Sequence, residues 1–210
     1  MIFCGYNYFC RMKRIPLLLF FCLLFTGKIF SQDNGFDIGI IADHRQFSDQ
    51  YMQSFGLNAY INFDRLTINY QLSIGPASRG GFYVHAPAGA ALGGFLLSKV
   101  DSNNFGYRIL GIAGIISMVV PEGIGYYLSE NDKFSTQLIA NPLGYEYWKR
   151  KNPYEEDWAL SGTFLFRFKY FVLPQYHVFI APEIGPSWIY KNGDIGLKFG
   201  VAMGIHPDFS

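Results

Sequence analysis

Residues 193–206 read GDIGLKFGVAMGIH. Every second position is large and apolar: Ile195, Leu197, Phe199, Val201, Met203 and Ile205. Between them lie Gly196, Lys198, Gly200, Ala202 and Gly204. A period of two puts the two sets on opposite faces of a β-strand. The pattern recurs upstream. LTINYQLSI at 66–74 sets Leu66, Ile68, Tyr70, Leu72 and Ile74 against Thr67, Asn69, Gln71 and Ser73. FGLNAYINF at 55–63 alternates in the same way. The spacing predicts further strands over 36–43, 123–129, 133–141, 157–171 and 175–190. Turns are marked by Asp64-Arg65, by residues 130–132, by Pro174 and by Asn192-Gly193, the last a strong hairpin signal. The count is eight, an even number, with long connections expected at 44–53, 75–122 and 142–156.

The composition narrows what such strands can build. The chain has 210 residues, enough for one domain with a real interior. Aromatics make up 19% and charged residues only 16%, against a usual quarter. Mean hydropathy is +0.12, too low for a bundle of membrane helices. A formal charge of +1 points to no nucleic-acid partner. Aromatic richness without long apolar runs fits strands that alternate between hydrocarbon and a narrow lumen.

The face opposite the large apolar residues is mostly Gly, Asn, Ser, Thr, Gln and Ala. A water-facing surface would be rich in Lys and Glu, so the apolar face is read as the outside. The fold expected is an eight-stranded antiparallel up-and-down transmembrane β-barrel, all-β apart from one insert. Asp37, Arg167, Lys169, Glu183 and Lys198 fall on the inward phase, and their mixed signs allow them to pair there as a lumen charge network. Trp158, Tyr170, Tyr176, Trp188 and Tyr190 fall near strand ends, where an aromatic girdle would meet the membrane interfaces.

Residues 86–120 break the alternation. APAGAALGGFLLSKV is small and apolar, and YRILGIAGIISMVV is apolar on every side. Pro121 ends the stretch. It is expected to form an apolar helical hairpin inserted between strands 3 and 4, with Gly89, Gly93, Gly111 and Gly114 allowing close backbone approach. It would cover one end of the barrel or lie along the bilayer surface.

The first 31 residues read as a signal peptide. Met12-Lys13-Arg14 is a basic start, IPLLLFFCLLF at 15–25 is an apolar run of export-signal length, and Ser31-Gln32 is a plausible cleavage point. Met12 is a possible true start. All three cysteines (Cys4, Cys10, Cys22) lie in this segment, so residues 32–210, read as a single barrel domain, hold none. Four basic residues and no acids leave with the signal, which takes +1 to about −3.

Chemistry is sparse. His44, His85, His177 and His206 show no metal-ligand spacing. His44 stands beside Asp43 and near Asp49, and His85 shares its excursion with Ser78 and Ser98, but no spacing forces a catalytic triad. His177 falls on the inward phase. GYEYWKRKNPYEED at 144–157 reads as a surface loop whose Lys149, Arg150 and Lys151 could touch lipopolysaccharide phosphates or a partner.

FSQ at 30–32, VPEGIGYYL at 120–128 and ANPLGYEY at 140–147 resemble segments of small outer-membrane β-barrel proteins of Bacteroidota. The resemblance spans roughly residues 35–206. It implies an outer-membrane location, contact with the bilayer and lipopolysaccharide, passage through the barrel-assembly machinery, and a monomer. It carries no catalytic residue, metal or cofactor. The role expected is structural, surface-interacting or small-solute, with no enzymatic activity. A lipid-modifying enzyme of the outer membrane and a secreted lipocalin-like binder are the alternatives.

Overall fold

The computed structural model describes residues 35–48, 50–78, 80–99, 105–131, 133–151 and 154–207. The signal segment read at 1–31 lies outside the described residues, as does Asp49. The chain runs β1 (Gly35–Gln46), β2 (Tyr51–Phe63), β3 (Leu66–Ala77), β4 (Gly81–Pro87), α1 (Ala88–Ser98), α2 (Phe105–Met118), β5 (Gly123–Glu130), β6 (Phe134–Lys151), β7 (Tyr154–Leu173), a single 3₁₀ turn at Pro174–Tyr176, β8 (Val178–Ile189) and β9 (Asp194–Ile205).

All neighbouring strands pair antiparallel, and β9 pairs back onto β1 from Ile38↔Ile205 to Gln46↔Leu197. The sheet is therefore closed around the barrel. Nine strands make eight staves. β4 and β5 both lie between β3 and β6: β4 pairs with Ser73–Ala77 of β3, and β5 with Leu66–Asn69. They are the two halves of one stave, interrupted by the helical hairpin. The insert lies between the expected strands at 66–74 and 123–129, as read, and the half-strand at 81–87 places it inside the fourth stave. Residues 81–87 give little sequence signal as a strand, because the half-stave is only seven residues long and ends at Pro87.

Much of two of the expected long connections is strand. β1 and β2 pair out to Gln46↔Tyr51, and β6 and β7 pair out to Lys151↔Tyr154. The charges in these stretches look loop-like, yet a polar lumen accepts charge on alternate residues. Asp43 and Arg45 continue the inward phase of Asp37. The turns themselves follow local chemistry. Asp64 takes a positive φ of 52° between β2 and β3, and Gly193 takes 72° between β8 and β9, where a side chain would be strained.

The burial pattern is inside-out for a water-soluble sheet. Buried positions hold Asp37, Arg45, Asn69, Gln71, His85, Arg167, Lys169 and Lys198, while Ile38, Leu57, Leu72, Phe166, Phe199 and Ile205 are exposed. Small apolar clusters remain inside, such as Ile41, Phe179, Ala181 and Ala202. Along β9 the exposed residues run from Ile195 to Ile205. Ten steps at about 3.3 Å, tilted about 40°, make a band roughly 25 Å tall.

Candidate functional site in the barrel lumen

Alternation delivers one inward side chain from every second residue of each stave, and these fill the lumen with charge. Near the end where the chain enters and leaves, Asp37 of β1 is the hub. Its carboxylate accepts from Lys169 Nζ at 3.2 and 3.3 Å and from Arg167 at 3.3 Å, and it meets His206 Nδ1 at 2.6 Å. Lys169 also donates to the Tyr127 hydroxyl at 3.2 Å, and Arg167 donates to Gln137 at 3.1 Å. The Arg167 guanidinium stacks 4.0 Å above the Tyr60 ring.

Further along the axis, Lys198 Nζ donates to Gln71 Oε1 at 2.8 Å and pairs with Glu183 at 2.9 Å. Asp43 accepts from Ser54 at 2.9 Å and from Gln71, and lies 3.9 Å from both Lys198 and Arg45. Arg45 in turn donates to Glu146. Glu146 also accepts from Ser161 Oγ at 2.5 Å and meets His85 Nδ1 at 3.0 Å. The other ring nitrogen of His85 faces Glu122 at 3.1 Å. Two ionic groups therefore follow one another along the lumen, with the Tyr60 ring over Arg167 between them, and the second group ends at the split stave. His85 stands just before the hairpin, and Glu122 just after it. The backbone of Glu122 helps close the split: its N–H donates to Asn69 O at 3.0 Å, and its carbonyl accepts from Leu143 N–H at 3.1 Å.

The five lumen charges read from the sequence are all buried, and the fold gathers them into two groups: Asp37 with Arg167 and Lys169, and Glu183 with Lys198. Sequence reading did not place Asp43, Arg45, His85, Glu122, Glu146 or His206 in the lumen network. For Asp43 and Arg45 the signal was there, in the phase of β1. For Glu146 it was hidden by the bulge between Asn141 and Gly144, which resets the alternation of β6. For His85 and Glu122 it was hidden by the hairpin.

The catalytic combinations considered from the sequence do not assemble. Asp43 points into the lumen, while His44 stacks on Tyr51, 6.1 Å between centroids. Ser78 is buried and Ser98 is exposed on α1, where its hydroxyl bonds back to Phe95 O. His177 is not inward. It occupies the exposed β7–β8 turn with a φ of 54°. Ser161 bonds Glu146, so its hydroxyl is committed to a carboxylate and not to an imidazole base. Among the described residues no group of His, Cys, Asp and Glu is arranged to hold a metal ion.

On the outer face, Trp158 stacks on Tyr145 (6.1 Å) and Trp188 meets Tyr190 edge-on (6.3 Å). These lie toward the end of the barrel that carries the β8–β9 turn. Trp188 is half-buried because its ring lies over Gly162. Tyr170 and Tyr176 lie toward the opposite end, at the close of β7 and in the turn after it. Residues 144–151 and 154–157 are strand and not a surface loop. Lys149, Arg150 and Lys151 belong to β6, across from Glu156, Glu155 and Tyr154, and Lys149 pairs with Glu156 at 3.3 Å.

No protein-family model and no curated protein matches the chain. Solved structures do. The chain is similar to Ail, the attachment invasion locus protein of Yersinia pestis, at 8% identity and a TM-score of 0.48, covering 85% of this chain and all of that one. It is similar to the N-terminal β-barrel domain of Pseudomonas aeruginosa OprF at 8% identity and a TM-score of 0.47, covering 83% and 100%. Neisserial surface protein A matches at 8% identity and a TM-score of 0.47, covering 84% and 99%.

Proposed function

We propose that this chain is an integral outer-membrane protein with a structural or surface-interaction role and a sealed lumen. The observation that carries the reading is the reversal of burial. An exposed band of Ile, Leu, Phe and Met about as tall as a bilayer core encircles a charged interior. In water such a surface would drive aggregation, whereas in acyl chains it costs nothing. The aromatic residues at both ends of the outer face agree with two membrane interfaces. Location in the outer membrane of a Bacteroidota cell, export by the segment at 1–31 and insertion by the assembly machinery belong to the same reading.

The lumen argues against a solute path. Lys198, Arg167, Lys169 and His85 are 0% exposed and engaged by carboxylates, which supports a lumen filled by its own side chains. The same burial removes His85, Glu122, Glu146 and Ser161 from any substrate. We assign them to holding the wall together, without catalysis. Heat-modifiable mobility on a detergent gel and retention in the outer-membrane fraction after carbonate washing are the expected results. Release by carbonate would overturn the reading, and steady conductance in planar bilayers would overturn the sealed lumen.

A further inference from the structure

The α1–α2 hairpin stands outside the strand ladder. It leaves the wall at Pro87 and returns by Gly123, between the segments of β3 that pair with β4 and β5. The exit therefore lies near mid-height. The helices meet through glycines. A Cβ on Gly93 would fall 2.5 Å from the Gly114 carbonyl, and one on Gly89 would fall 2.3 Å from that of Ser117. What they turn outward is hydrocarbon: Leu92, Phe95, Ile109, Ile112, Ile115 and Ile116 are 52–61% exposed. No charged residue occurs in 88–97 or 109–120. Ser117 turns its hydroxyl back onto Gly114 O at 2.8 Å. A helix lying on a membrane surface keeps one polar face, and these helices have none. Their base joins the outer belt of the barrel, where Tyr70 on β3 donates to Val119 O at 2.8 Å.

Length supplies the remaining constraint. α1 has 11 residues and α2 has 14, about 16 and 21 Å at 1.5 Å per residue. Half of a bilayer core is about 15 Å. The residues joining the helices, Lys99 to Asn104, are mostly polar in sequence, and Arg108 occupies the first turn of α2. An apolar hairpin that starts at mid-height and carries exposed Lys99 at the far end of α1 fits the distance from the bilayer centre to one headgroup layer.

We propose that α1–α2 spans a single leaflet beside the barrel, its outer surface bound to lipid acyl chains. This rests on the membrane reading above. Single cysteines at Ile112, Ile115, Lys99 and, as a wall control, Leu72 would be placed in full-length protein with Cys4, Cys10 and Cys22 changed to serine. Each variant is spin-labelled in phosphatidylcholine vesicles and tested for collision with oxygen and with a water-soluble nickel chelate. I112C and I115C are expected to match L72C, favouring oxygen, while K99C favours nickel. If L72C favours oxygen but I112C and I115C favour nickel, the hairpin lies outside the lipid and the proposal fails alone. If L72C also favours nickel, the membrane reading falls with it. Spin–spin broadening at Ile115 that disappears on dilution with unlabelled protein would assign the surface to a second copy and overturn the acyl-chain contact.

Discussion

The two halves of the lumen network stand behind different walls. Asp37 and its partners lie where no stave is split: β1 pairs continuously with β2 and β9, and Lys169 and Arg167 sit on a β7 that pairs across to β6, with register shifts beside them at Tyr127 and Phe171. The Glu146 group lies behind the split stave, where β3 pairs with β2 but has no ladder partner on the β4–β5 side from Tyr70 to Leu72. In the first region the side chains fill space inside a wall that main-chain hydrogen bonds already hold. In the second, His85 and Glu122 come from the two sides of the break itself and converge with Glu146 on β6. The same chemistry fills space in one place and splices a wall in the other.

That contrast can be broken experimentally. The largest effect is expected from removing a hub carboxylate. Asp37→Ala leaves Arg167 and Lys169 buried without it, and Glu146→Ala does the same to Arg45, a loss of about 3–5 kcal/mol in each case. Urea unfolding in lipid or detergent measures this. Amide exchange then separates the two variants. Glu146→Ala should speed exchange at Leu143 and Glu122, whose N–H groups close the split, whereas Asp37→Ala should leave these two unchanged. Equal exchange in both variants would erase the distinction between filling and splicing.

A smaller effect is expected where outer-face tyrosines satisfy carbonyls freed by irregular backbone. Tyr70 donates to Val119 O at the hairpin base, and Tyr190 donates to Pro142 O, 3.2 Å away, at the β6 bulge. In a lipid-facing setting each hydroxyl replaces a bond that water would otherwise make. Tyr70→Phe and Tyr190→Phe should each cost about 1 kcal/mol in the same unfolding assay. The smallest effect is expected at the exposed Lys149–Glu156 pair, with side chains 48% and 44% exposed. Lys149→Ala should shift stability by no more than about 0.5 kcal/mol and lose even that at high salt.

The regular staves were legible in the sequence because each carries several cycles of a period-two pattern, as in 66–74 and 195–205. The lumen charges on those staves were legible for the same reason. The split stave was not. Its first half ends where an apolar helix begins, so Tyr83 and His85 read as part of an excursion and not as inward positions of a strand. Glu122 and Glu146 lie beyond phase breaks, one past the hairpin and one past the Asn141–Gly144 bulge. Alternation carries no information across such a break, because the register is then set by pairing between staves and not by the neighbouring residues. The end of β1 differs: charge at Asp43 and Arg45 reads as a sign of solvent, yet there it marks the inside.

The contact between Asp37 and His206 joins residues 169 positions apart, and the β1–β9 seam beside it is built from similarly distant partners. Zipping from one hairpin to the next can assemble most of the cylinder, but it cannot make that seam. The last stave must arrive before the first finds its second neighbour, so the slow step of biogenesis is expected at this junction, with the unpaired margins of both strands needing shelter until then.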